Sequence, residues 1–170
     1  AAKNITASGR LGPGKKILLL ENEMASNVYP WQNACLETGA ELCIIPFPTT
    51  GVSWIASILQ RLDHTVAVVS LGATHWCDGS SIDLFELSTY IFENYSSSNR
   101  PYFIIDGTQS IGAMNIDVAA LRPDLVCCSV HKWLLSGRGM SLVYLNPIHH
   151  NAWQPLDHHE RTREGSQHPF

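Results

Sequence analysis

Six short apolar runs constrain this chain more than any other feature. They are Ile17–Leu20, Leu42–Pro46, Thr65–Ser70, Tyr102–Asp106, Leu125–Ser129 and Ser141–Leu145. Most are continuous rather than alternating, the pattern of strands covered on both faces. Longer amphipathic stretches fill the gaps. One runs from about Ser26 to Thr38 and stops before Gly39. A second covers Val52 to Leu62, with Trp54, Ile55, Ile58, Leu59 and Leu62 at helical spacing. A third covers about Ile82 to Asn94, with Ser80 or Ser81 as N-cap. A short fourth holds Val118 to Leu121. Ala1-Ala2-Lys3 reads as the tail of another helix. This alternation predicts an α/β fold: a three-layer α/β/α domain around a mostly parallel sheet.

Bulk properties narrow the function classes. The 170 residues suffice for one domain with a real core. Hydrophobic residues make up 45% and charged residues 15%, a buried-sheet composition rather than a disordered one. Net charge is −4 with no basic stripe, which argues against nucleic acid as a partner. No apolar run is long enough to span a bilayer and no signal-peptide pattern opens the chain, so the expectation is a cytoplasmic protein without a membrane partner. The five cysteines are odd in number and match no zinc spacing. Cys127 and Cys128 face opposite sides of one strand and read as small buried hydrophobes in a reducing compartment. Four of the eight histidines, His149, His150, His158 and His159, lie near the polar carboxyl-terminal end and read as solvated rather than metal-binding. Residues 1–150 are expected to form the folded domain and 151–170 a polar tail.

One lysine stands out against this background. Lys132 follows the fifth run directly, in Ser129-Val130-His131-Lys132-Trp133. An ammonium beside a buried strand needs a partner, water or a covalent task. The bland reading is a lysine snorkelling to solvent. The other is an amine that forms a Schiff base with a carbonyl cofactor. In doubly wound sheets ligands bind beyond the carboxyl ends of the strands. If the fourth and fifth strands are neighbours, Asp106 and Ser129–Lys132 leave the sheet at one edge, about 5 Å apart. Pyridoxal phosphate needs a lysine for its aldehyde and a carboxylate at its ring nitrogen. Lys132 and Asp106 supply both groups. Ser129 and His131 are two apart and share a face that suits a phosphate. Gln109, one turn past Asp106, suits the phenolic oxygen of the ring. Separately, Asp106-Gly107 is a common turn pair and His131 an ordinary half-buried histidine; the combination is less ordinary.

Three segments carry a resemblance. They are Phe103-Ile-Ile-Asp106-Gly-Thr-Gln109-Ser-Ile-Gly112, Leu121-Arg-Pro-Asp124, and Ser129-Val-His131-Lys132-Trp133-Leu134. In order, spacing and strand context they resemble the class V aminotransferase family, fold-type I enzymes that include cysteine desulfurases, selenocysteine lyases and kynureninases. Glu21–Trp31 and Thr74–Gly79 resemble it too, so the likeness runs from about Ile17 to Asn146. It implies the central part of a PLP-binding large domain. It also implies an amino acid substrate, transamination, elimination or desulfuration as the reaction, and a homodimer at full length. By resemblance Lys132 is the Schiff-base lysine, Asp106 pairs with the pyridine nitrogen and Gln109 contacts the ring oxygen. Ser129 and His131 are phosphate ligands by the same likeness, and His75, Trp76 and Asn27 fall near the cofactor and substrate pocket. Met24-Ala25 departs from the pattern, because the family places an aromatic or imidazole ring there to stack on the cofactor. The alternative is a catalytically inactive fragment or binding module that keeps the sheet. A nucleotide site on Gly107–Gly112 fits worse, since that segment matches neither phosphate-loop fingerprint.

Overall fold

A computed structural model describes residues 1–155. In chain order the elements are α1 (Ala2–Ala7), β1 (Lys16–Leu20), α2 (Ala25–Thr38), β2 (Glu41–Ile45), α3 (Trp54–Arg61) and β3 (Val66–Gly72). Then follow α4 (Leu84–Asn94), β4 (Tyr102–Asp106), α5 (Val118–Leu121), β5 (Leu125–Ser129), β6 (Ser141–Leu145) and a 3-10 turn over Pro147–His149. The strands form one sheet in the order β2-β1-β3-β4-β5-β6. Five run parallel and β6 pairs antiparallel with β5. The expected mostly parallel α/β sheet is what the chain forms.

The continuous apolar runs explain the three layers. Successive strand residues point to opposite faces, so the runs of β1 to β5 supply both cores, whereas the edge strand β6 adds only Tyr144 to one of them and leaves Leu142 and Val143 exposed. Leu18, Leu20, Val69, Leu71, Phe103 and Ile105 join Trp54 and Ile58 of α3 and Leu87 and Ile91 of α4. Their neighbours Ile17, Leu19, Val68, Tyr102 and Ile104 join Ile5 of α1 and Trp31 and Ala34 of α2. A fully buried Leu, Ile or Phe contributes about 1.5–3 kcal/mol, so a polar residue on either face of β1 or β4 is expensive.

Helix α3 is shorter at both ends than the expected Val52–Leu62, because Ser53 caps its start and Leu62 leaves the helix, and two further boundaries differ. Helix α4 starts at Leu84, capped by Asp83, whose carboxylate accepts from the Glu86 amide at 2.9 Å. Ser80 does not cap it, because its hydroxyl accepts from Trp54 Nε1 at 2.7 Å and donates to Asp78. Strand β3 continues past Ser70, since Leu71 and Gly72 pair in register with Ile105 and Asp106.

Strand order reverses direction between β1 and β3, the switch point at which a crevice opens at the carboxyl edge. The segments after β1, β3, β4 and β5 all emerge there. The amino edge is closed by a buried cluster. Asp124 accepts from Arg100 Nη1 and Nη2 (2.7 and 2.8 Å), from the Phe103 amide (2.7 Å) and from His149 Nε2 (2.6 Å). His149 is therefore buried, not solvated as its place near the polar end suggests. His158 and His159, and most of the 151–170 tail, lie outside the described residues.

Candidate active site

A cavity of about 180 Å³ sits at the carboxyl edge. Its wall from β4 and β5 is Asp106, Thr108, Gln109, Ser129, His131 and Lys132. The facing wall is Glu23, Met24 and Ser26 after β1, with Gly72, Thr74 and Trp76 after β3.

The β4–β5 wall is built by backbone. The Gly107 amide donates to the Cys127 carbonyl at 2.7 Å, tying the turn after β4 to β5. Asp106 Oδ1 accepts from the Thr108 amide at 2.9 Å, an Asx-type turn that fixes the carboxylate. The Thr108 hydroxyl accepts from the Ser129 amide at 3.1 Å and joins the Asp106 turn to the Ser129 end of β5. Gly112 has φ 99°, and a Cβ there would lie 2.8 Å from the Trp133 carbonyl oxygen. The chain after β4 thus packs backbone to backbone against the residue next to Lys132. Lys132 opens a tight turn in which its carbonyl accepts from Leu135 at 3.2 Å and Val130 accepts from Ser136 at 3.1 Å.

Of the eight residues singled out in the sequence, six line this cavity: Asp106, Gln109, Ser129, His131, Lys132 and Trp76. Trp76 is about half exposed and donates from Nε1 to the Asn22 carbonyl at 2.6 Å. His75 and Asn27 do not line it. His75 is buried, stacked on Trp54 and edge-on to Phe47, with Nε2 3.0 Å from the Glu21 carbonyl. Asn27 is tied to Ser70, whose hydroxyl donates to Oδ1 at 2.6 Å. Both pin the β1 and β3 loops from behind the wall.

Sequence reasoning did not single out Glu23, Gly72, Thr74 or Thr108. Thr108 had a usable signal, because Asp-Gly-Thr is an Asx turn whose third residue faces the next strand. Glu23 had none, since its approach depends on Asn22 turning left-handed (φ 54°) so that the Glu23 amide reaches Leu20 at 3.3 Å. Burial pushes the Glu23 carboxyl above the ordinary glutamate range and Asp106 adds to this; the Met24 amide, His75 and the Gly72 amide oppose it. Burial, then Asp106, pushes the Cys127 thiol up to about 11, which suits a packing cysteine rather than a nucleophile.

Asp106 and Lys132 form no ion pair among the described residues. The cavity therefore offers an amine, a carboxylate, an amide, hydroxyls and an imidazole around one slot. That donor set fits pyridoxal phosphate, which needs an amine for its aldehyde, a carboxylate for its ring nitrogen and polar groups for its phosphate. No group of three or more potential metal ligands occurs among the described residues. No helix among them is long and apolar enough to cross a membrane.

Comparison with known proteins agrees with the geometry. The aminotransferase class-V family model matches residues 1–163. That family uses pyridoxal phosphate. A probable cysteine desulfurase of Mycoplasma genitalium is 30% identical over 129 residues, covering 75% of this chain and 31% of the relative. One from Vibrio cholerae is 30% identical over 138 residues, covering 81% and 33%. Among solved structures, the cysteine desulfurase CsdA of Escherichia coli superposes with a TM-score of 0.70 at 23% identity, over 85% of this chain and 36% of that one. The cystine C-S lyase C-DES, solved with its product cysteine persulfide, gives 0.76 at 19% identity, over 91% and 42%. These two likenesses show the fold. The chain spans about a third of the length of the curated relatives it matches. Matched along nearly its whole length, this chain belongs to the aminotransferase class-V family.

Proposed function

We propose that residues 1–150 are the cofactor-holding part of a pyridoxal-phosphate enzyme acting on an amino acid, by transamination, elimination or desulfuration. The observation that carries this is the convergence of Asp106, Gln109, Ser129, His131 and Lys132 on one cavity from two adjacent strand ends. When bound, the cofactor supplies a carbonyl for an amino group and a protonated ring as electron sink. Lys132 is the amine that holds the aldehyde and then moves the proton at the substrate's α-carbon. Asp106 keeps the ring nitrogen protonated. Gln109 donates to the ring oxygen, and Ser129 and His131 hold the phosphate. Trp76 narrows the mouth on the substrate side, with His75 and Asn27 fixing its loop. Cysteine is the first substrate to try, given the desulfurase names of the relatives. The homodimer and the cytoplasmic setting belong to the same proposal; the free cysteines suit a reducing compartment.

The test is to add pyridoxal phosphate, reduce with borohydride and map the added mass. It should sit on Lys132 and vanish in Lys132→Ala. Label spread over surface lysines and unchanged in that variant would sink the assignment. One observation favours a second reading, a non-catalytic module. Met24 lines the cavity, at the position where the family resemblance implies a stacking ring. Its mark would be no saturable label on Lys132.

A further inference from the structure

The cavity contains a second carboxyl that the proposed chemistry does not use. Glu23 Oε2 is the one buried side-chain oxygen or nitrogen without a hydrogen-bond partner among the described residues. Its Oε1 accepts a long bond from the Met24 amide, at 3.3 Å, and the Gly72 amide also favours its charged form, more weakly. Leaving a buried carboxylate oxygen unmatched is costly, so such a group is expected to hold a proton or meet a ligand.

Topology shows what it faces. Strands β1 and β4 flank β3 on either side. Glu23 follows the end of β1, Asp106 ends β4, and Gly72 ends β3 between them, in register with Asp106. In-register parallel partners point their side chains to the same face. Gly72 has none, and a Cβ there would meet the Thr74 carbonyl at 2.9 Å. The missing side chain leaves a gap that the two carboxyls flank, and all three residues line the same cavity.

We propose that Glu23 is the partner carboxyl of Asp106: the two hold one proton, on Glu23, so the cavity offers a single negative charge to the ring nitrogen of an incoming pyridine. Glu23 is thus a positioning residue. The pyridine rests on the proposed function; the carboxyl pair does not. Like charges sharing a buried site cannot both ionise cheaply. The other charged groups nearby are His75 behind the wall and His131 and Lys132 across the cavity.

The experiment is carboxyl carbon-13 NMR of the chain without cofactor, following Glu23 through a pH titration. Its midpoint should lie above the range of exposed glutamates and should fall in Asp106→Asn. An ordinary midpoint, or one indifferent to Asp106→Asn, overturns the pair. Should that variant fold poorly, Glu23→Gln gives a second readout. An acid whose folded pKa is raised binds more protons folded than unfolded, so its contribution to stability is full at low pH and is lost as pH rises. The thermal midpoint of Glu23→Gln should therefore gain on the parent as pH climbs from about 4.3; a constant difference overturns the proposal. Adding pyridoxal phosphate to the parent chain should lower the Glu23 midpoint. If only this last effect is missing, the cofactor reading fails and the pair stands.

Discussion

The two edges of the sheet treat buried charge in opposite ways. At the amino edge Asp124 is fully buried, yet each oxygen accepts two donors, from Arg100, the Phe103 amide and His149. At the carboxyl edge Glu23 leaves an oxygen unmatched, and Asp106 and Lys132 have no ionic partner among the described residues. The same sheet thus carries a closed polar network at one end and an open one at the other. A closed network specifies structure. An open one holds groups at a cost to stability, which is the mark of a site.

The largest expected effect breaks the closed edge. Asp124→Asn turns an amide NH₂ toward donors and leaves the Arg100 guanidinium without its counter-charge. Removing one partner of a buried pair costs about 3–5 kcal/mol, to be read from urea unfolding. A loss below about 1 kcal/mol would make this edge no different from a surface ion pair. The pH profile sharpens the contrast. Burial alone raises the Asp124 carboxyl, but the bonds from Arg100, then His149 and the Phe103 amide, outweigh it and hold it below the usual range. A depressed folded pKa contributes stability that is present above the unfolded value of about 3.9 and is lost as pH falls through the folded one. Glu23 has the opposite sign, so the two edges should pull stability in opposite directions with pH.

A second prediction concerns how the open edge is held. Gly112→Ala places a methyl 2.8 Å from the Trp133 carbonyl at a φ of 99°. We expect a stability loss of about 1–3 kcal/mol and, more tellingly, loss of the Lys132 label even where the sheet survives. Normal labelling would show that the Lys132 turn does not depend on this contact.

These cases show why some parts were legible in the sequence and others not. The strands were, because a parallel strand buried on both faces must be continuously apolar, as Tyr102–Ile105 is. The meeting of Lys132 and Asp106 at one cavity was, because both follow directly on such runs in neighbouring strands. His149 was misread: its burial comes from a stack on Trp153 at 4.5 Å and a bond to a residue 25 positions away. Local polarity says nothing of either contact. Glu23 was missed for the same reason, since its environment is set by Gly72 and Asp106 across two strands.

Thr108→Val is a smaller perturbation. It removes the acceptor for the Ser129 amide but keeps the shape. One lost hydrogen bond costs about 1 kcal/mol. The expected signature is faster amide exchange at Ser129, with β6 pairing unaffected. Equal exchange in parent and variant would mean that the bond does not link the two strand ends.

The smallest effect is the most diagnostic. Asp106→Asn keeps the oxygen that accepts from the Thr108 amide, so the turn after β4 survives. It also removes a negative charge that disfavours ionised Glu23. At neutral pH the free chain should lose nothing measurable, within about 0.5 kcal/mol, or gain slightly. The same carboxylate-to-amide change at Asp124 is expected to be severely destabilising. A marked loss at Asp106 would mean that its charge has a structural partner at the carboxyl edge, and the contrast between the edges would collapse. A neutral result, joined to weaker pyridoxal phosphate binding, would show that this carboxylate serves a ligand rather than the fold.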